Sequence, residues 1–145
     1  MKIAIASDHH GVTLRQNLTE HLNKLGYDVI DCGPNTSEMV DYPDYAFNVG
    51  LKVANKEANY GILICNTGIG MSIAANKVKG IRCARVVTEN DAKMTRRDND
   101  ANVMAISANI DIEMIKRIID IFLNTPFLEL DRYKRRIEKI DNYEC

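Results

Sequence analysis

Apolar, β-branched runs alternate along this chain with segments whose apolar residues recur every three or four positions. Lys2 to Ser7 reads as a first strand. Leu14, Leu18, Leu22 and Leu25 then fall on one helical stripe, and Gly26 stops it. Tyr27 to Asp31 predicts a second strand, and Cys32 to Pro43 a loop rich in turn formers. Tyr45, Val49 and Val53 mark a second helix. Tyr60 to Cys65 is a third strand, followed by a third helix over Gly70 to Lys77. Ile81 to Val87 predicts a fourth strand, Asn90 to Arg97 a short helix and Val103 to Ser107 a fifth strand. Ile112, Ile115, Ile119 and Phe122 line a fifth helix. After Pro126 a basic segment beginning at Asp131 predicts a final one.

Strands alternating with helices require right-handed crossovers, hence a parallel sheet covered on both faces. The expectation is one α/β, Rossmann-like domain over residues 1–145, with a five-stranded parallel sheet, helices on both faces and a C-terminal helical tail. No repeat, low-complexity tract or linker divides the chain. Ligands of such sheets sit beyond the carboxyl ends of the strands. Asp8-His9-His10-Gly11 follows the first strand, the Cys32 to Pro43 loop the second and Cys65 to Gly70 the third, so all three fall there. The segment near Asp98-Asn99 is less directly placed.

Composition narrows the function. Nineteen Lys and Arg against 20 Asp and Glu leave no global field to gather nucleic acid or an acidic membrane surface. No apolar run is long enough to span a bilayer, and the N-terminal residues lead into a strand pattern without a signal-peptide core, so a cytoplasmic protein is expected. The four cysteines, Cys32, Cys65, Cys83 and Cys145, form no C-x-x-C pair and no zinc-ribbon spacing. Cys32 and Cys83 read as small buried hydrophobes, and Cys145 is terminal.

Cys65 is different. The run Ile62-Leu63-Ile64-Cys65 ends at a thiol, a Gly-containing turn follows, and a helix begins. The first N–H groups of that helix should face the cysteine, enrich its thiolate and stabilise an adjacent oxyanion. Gly68-x-Gly70 also invites a dinucleotide reading, with Glu89 near the distance for a ribose-binding acid. However, Ile73 stands where the third glycine belongs, and a small anionic ligand ranks well above it. No Walker A lysine pattern occurs. Asp8 is positioned to cap the first helix, whereas His9 is the better candidate for a phosphate or hydroxyl contact. Arg132 and Arg136, four apart, share a helix face: either a solvated basic face or a phosphate clamp.

Ordered motifs carry a resemblance over nearly the whole chain: Ser7-Asp8-His9-His10-Gly11, Val40-Asp41-Tyr42-Pro43-Asp44, Cys65-Asn66-Thr67-Gly68-Ile69-Gly70 with Ala74-Ala75-Asn76-Lys77, Gly80-Ile81-Arg82, and Asn99-Asp100-Ala101-Asn102-Val103. The chain resembles the type B ribose-5-phosphate isomerases and the related galactose-6-phosphate isomerase subunits. The resemblance implies aldose–ketose isomerisation of a sugar phosphate with no metal or other cofactor. It makes Cys65 the base that moves a proton between C1 and C2 through an enediolate. Thr67, Gly68, Ile69 and Gly70, with neighbouring Asn66, surround the oxyanion. Asp8, His9 and Asn99 bind the sugar, Tyr42 lines the site, and Arg132 and Arg136 hold the phosphate. It further implies a homodimer or dimer of dimers whose sites are each built from two chains, with no nucleic-acid or membrane partner.

Three positions depart from the family pattern, which usually has glycine at Asn66, a ring-opening histidine at Asp98 and arginine at Asn109. Asp98 can take over the ring-opening role only with a raised pKa, and Arg96 and Arg97 beside it would push the other way. The alternatives are therefore a hexose-6-phosphate isomerase subunit and a catalytically silent sugar-phosphate-binding homologue.

Overall fold

The computed structural model of the protein describes residues 1–143. Five strands, β1 (Lys2–Ser7), β2 (Asp28–Asp31), β3 (Tyr60–Cys65), β4 (Cys83–Arg85) and β5 (Val103–Ser107), pair in parallel in the order β2-β1-β3-β5-β4. Six helices accompany them: α1 (Val12–Lys24), α2 (Tyr42–Ala54), α3 (Ile69–Ala75), α4 (Glu89–Asn99), α5 (Ile112–Asn124) and α6 (Asp131–Asp141).

Alternation along the central strands divides the core in two. Ile3, Ile5, Ile62, Ile64, Met104 and Ile106 point to one face. There they pack with Leu18 and Leu22 of α1, Ala92 of α4, and Ile115, Ile119 and Phe122 of α5. Ala4, Ala6, Leu63, Cys65, Val103 and Ala105 point to the other, against Ala46, Val49 and Val53 of α2 and Met71, Ala74 and Ala75 of α3. The second face is built of smaller residues, so its helices sit close. A Cβ on Gly61 would fall 2.6 Å from Val49 Cγ1. The expected domain class and its helical tail are therefore present.

The boundaries shift where tertiary contacts outweigh local pattern. Tyr42 and Pro43, expected in a loop, open α2, because proline suits a helix's first turn. α3 starts at Ile69 and stops at Ala75 rather than running from Gly70 to Lys77. Asn76 ends it by bonding both Ser72 O and the backbone of Cys83, which ties α3 to β4. β4 is only three residues long, an edge strand paired to β5 alone. α4 extends beyond Asn90–Arg97 at both ends, started by a Thr88–Asp91 capping box and carrying Asp98 and Asn99 in its last turn. Leu25 caps α1 and stands 57 % exposed instead of joining the stripe.

β1 and β3 are neighbours although β2 lies between them in sequence. The chain reverses direction across the sheet at this point, which opens a crevice above the carboxyl ends of β1 and β3.

Candidate active site

The crevice at the β1/β3 switch point gathers nine of the residues singled out above: Asp8, His9, Tyr42 and the run from Cys65 to Gly70. Asp8 follows β1, and its N–H donates to Ile64 O at 2.9 Å, joining the first motif to the end of β3. Asp8 does not cap α1: the capping position is Gly11, and Asp8 Oδ1 instead accepts from the His10 N–H at 2.9 Å. Gly11 is required for close packing, since a Cβ there would meet Ile64 Cγ2 at 2.7 Å. His9 Nδ1 accepts from the Val40 N–H at 3.4 Å and so anchors the long loop before α2. Tyr42, at the start of α2, lays its ring on Gly70, where a Cβ would fall 2.6 to 2.9 Å from Cζ, Cε2 and Oη.

Cys65 closes β3 and is 6 % exposed. The Gly68 N–H donates to its Sγ at 3.0 Å. Two constraints hold Gly68: its φ is +76°, and a Cβ would sit 3.1 to 3.3 Å from the backbone of Ala105 and Ile106. A side chain there would lift the loop off β5 and pull the donor from the sulfur. α3 is only seven residues long, so individual N–H groups, not a large accumulated dipole, do the electrostatic work. Thr67 Oγ1 accepts from the Ile69 N–H at 3.2 Å, which leaves its hydroxyl proton to donate elsewhere. The Gly70 N–H lies in the first helical turn, ahead of the Ser72-to-Gly68 bond, and has no intrahelical acceptor.

Asn66 is held from β5. Its carbonyl accepts from Ser107 Oγ at 2.7 Å and Asn109 Nδ2 at 3.0 Å, and its Oδ1 from Asn109 Nδ2 at 2.8 Å. The two unusual asparagines thus contact each other at the rim of the crevice.

Asp98, Asn99, Arg132 and Arg136 are not brought to Cys65 within one chain. α4 descends toward the amino ends of the strands. There the Arg82 guanidinium donates to Asn99 O at 3.1 Å and Asp100 O at 3.0 Å, and its backbone N–H donates to Asn102 Oδ1 at 2.9 Å, just before β5. Cys65 closes the opposite end of a six-residue strand, about 17 Å away at the usual rise. α6 belongs with this second group, because Arg82 also grips Asp141 Oδ1 and Oδ2 at 3.0 and 2.9 Å. Arg132 and Arg136 are exposed on it. Asp98 pairs with Arg97 Nε at 2.6 Å. The Arg97 hydrogen bond holds its carboxyl below the usual range against a smaller opposing effect of burial, aided by the charges of Arg97 and Arg132 and by the Tyr133 hydroxyl. Arg96 is buried elsewhere, on Asp100, Ala101 and Tyr60. Glu89 is paired to Arg117 at 2.8 Å, which takes the acid from the dinucleotide reading.

Cys32 and Cys83 are half-buried beside or within strands; burial pushes the Cys32 thiol up, and the Cys83 thiol up to about 12. Cys145 lies outside the described residues. Sequence reasoning missed Arg85 and Ser107. Arg85 Nε donates to Thr67 O at 2.9 Å, yet in the chain it reads as an ordinary polar residue of an edge strand.

The parallel α/β sheet thus carries a buried thiol and an oriented amide at its switch point, where proteins of this class place their ligands. The ribose/galactose isomerase family model matches residues 3–140. Escherichia coli ribose-5-phosphate isomerase B is 42 % identical over 144 residues, covering 99 % of this chain and 96 % of that protein. The type B enzyme of Trypanosoma brucei superposes with a TM-score of 0.95 at 43 % identity, covering 99 % and 98 % of the two chains. Ribose-5-phosphate isomerase B of Mycoplasma genitalium, solved with bound ribulose 5-phosphate, superposes with a TM-score of 0.92 at 44 % identity, covering 98 % and 95 %. The chain belongs to the ribose/galactose isomerase family, and it is a sugar-phosphate isomerase of the type B ribose-5-phosphate isomerase kind.

Proposed function

We propose that this enzyme interconverts ribose 5-phosphate and ribulose 5-phosphate, with Cys65 as the base and no metal in the reaction. The observation that carries the reading is the Gly68 N–H on Cys65 Sγ at the β1/β3 crevice. A thiolate accepts that hydrogen bond more strongly than a thiol does. The thiolate takes the C2 proton of the open-chain aldose, and the electrons move onto O1 to form an enediolate. The Thr67 hydroxyl and the Gly70 N–H receive the developing charge. The proton returns from sulfur to C1, and a proton moves from O2 to O1, giving the ketose with the thiolate regenerated. Asp8, His9 and Tyr42 position the sugar from β1 and α2. A phosphate ester does not cross an apolar bilayer unaided, so the same reading puts the enzyme in the cytoplasm.

A complete site under this reading takes two copies of the chain. The second group, with Asp98, Asn99, Arg132 and Arg136, stands a strand length from Cys65, and a partner's copy of it would cover the crevice. An apolar patch suits such a contact. Phe47 and Leu51 on α2, and Ile69 and Ile73 on α3, are paired four residues apart, and each is 38 to 60 % exposed. We assign this patch to the interface of a homodimer.

Assay of the purified chain against four-, five- and six-carbon aldose phosphates, with direct detection of product, tests the proposal. Turnover of ribose 5-phosphate above the others is the expected result, and turnover of none by folded protein overturns it. A preference for another sugar phosphate would be the second reading, favoured by Asp98: an ionised, arginine-paired carboxylate has no proton to give a ring oxygen.

Asp98→His separates these cases. It is expected to raise turnover of ribose 5-phosphate and to add an ionisation near pH 6.5 to the rate profile, at about the ordinary histidine value. The gain should be smaller on a four-carbon aldose phosphate, which cannot close the same ring. A variant slower on ribose 5-phosphate would show that Asp98 or another group already opens the ring.

Arg132→Ala and Arg136→Ala should each weaken phosphorylated sugars by about 1.5–3 kcal/mol, the worth of a charge-assisted hydrogen bond, and leave unphosphorylated sugars nearly unchanged. Titration calorimetry with both ligand types reads this, and equal losses would show that the arginines do not meet the phosphate.

A further inference from the structure

We propose that Arg85 is a positioning residue of the catalytic loop, acting on Cys65 through one peptide group. Its Nε donates to Thr67 O at 2.9 Å, and the N–H of that same Thr67–Gly68 peptide donates to Cys65 Sγ at 3.0 Å. A cation on the carbonyl draws electrons along the amide and makes its N–H a stronger donor, because hydrogen bonds in a chain polarise one another. The contact also fixes the rotation of the peptide plane, so the N–H stays on the sulfur.

The fold makes this reach possible. Gly68 lies directly on the β5 backbone at Ala105 and Ile106, so the loop crosses over β5 toward the edge strand β4. Arg85 ends β4 and pairs in register with Ala105. The preceding carbonyl, Asn66 O, is pinned from β5 by Ser107 and Asn109. Two successive carbonyls of the loop are thus held from outside the crevice, and the second shares its peptide with the donor to the sulfur. Arg85 makes no salt bridge among the described residues. Asp91 feels its charge, but its carboxylate is directed to the Val87 and Thr88 N–H groups.

The inference rests on Cys65 being the base, and the test keeps the two apart. Arg85→Met, Arg85→Gln and Arg85→Lys are compared with the wild type in kcat and KM, and in the rate at which iodoacetamide modifies Cys65 at one neutral pH. The modified cysteine is identified by peptide mass. For Arg85→Met the expectation is a loss of about three- to tenfold in both kcat and Cys65 alkylation, with KM within about twofold of wild type and the melting temperature unchanged. Arg85→Lys, which keeps the charge but not the planar fork, should recover part of both.

Unchanged alkylation in a folded Arg85→Met variant overturns the proposal. So does a raised KM with kcat and alkylation intact, which would put Arg85 on the substrate instead of the peptide. Should Arg85→Met not fold, Arg85→Gln and Arg85→Lys decide the matter by the same readouts. Should the wild type show no isomerase activity, the alkylation comparison still reads the peptide contact, so failure of the catalytic reading is not mistaken for failure of this one.

Discussion

Cys65→Ala should lower turnover of the preferred sugar phosphate by a factor on the order of 10²–10⁴, the usual worth of a positioned general base. Substrate binding should change little. The thiol contributes a proton acceptor 3.0 Å from an oriented N–H but is 6 % exposed, so removing it takes away chemistry more than contact area. Its loss also leaves the Gly68 N–H without the acceptor it has in the native site. Steady-state kinetics with calorimetric substrate binding measure the two effects separately. In parallel, alkylation of the native enzyme should abolish activity, and substrate should protect. Near-native turnover in the variant, or an active enzyme with Cys65 modified, would reduce the residue to a filler of the α2/α3 face of the core.

Mixing two inactive proteins should restore activity. Under the two-chain site, Cys65→Ala damages one half of each site and Asn99→Ala the other. In a mixed dimer both lesions fall in the same site and the second site is intact. Random reassociation of equal amounts makes about half the dimers mixed, so about a quarter of wild-type activity should return. Co-refolding followed by the isomerase assay, with the mass in solution checked by light scattering, reads the result. No recovery from a confirmed mixed dimer would mean that Cys65 and Asn99 serve within one chain, or that Asn99 serves no site at all. Ile73→Asp should abolish both the dimer and the recovery, because it puts a charge in the middle of the exposed α2/α3 patch.

The sequence by itself determined the element order, the parallel sheet and the position of Cys65. β-branched runs such as Tyr60 to Cys65 have a period and length that a buried strand satisfies and an amphipathic helix does not, and that information is local. The motif after β1 and the motif after β3 were legible as crevice residues because the carboxyl ends of parallel strands all lie on one edge. Local pattern also read Tyr42 as a loop residue, although proline at the next position is equally at home in a first helical turn. The strand order lay beyond it. Insertion of β5 between β3 and β4 puts Ser107 and Asn109 on Asn66, and leaves β4 at the edge from which Arg85 reaches Thr67. The same geometry carries Asp98 and Asn99 down α4, away from Cys65, and sets Arg97 rather than Arg96 on the Asp98 carboxylate. Those relations join residues far apart in the chain. Their energies depend on which backbones lie side by side, and no periodicity of a single segment encodes that.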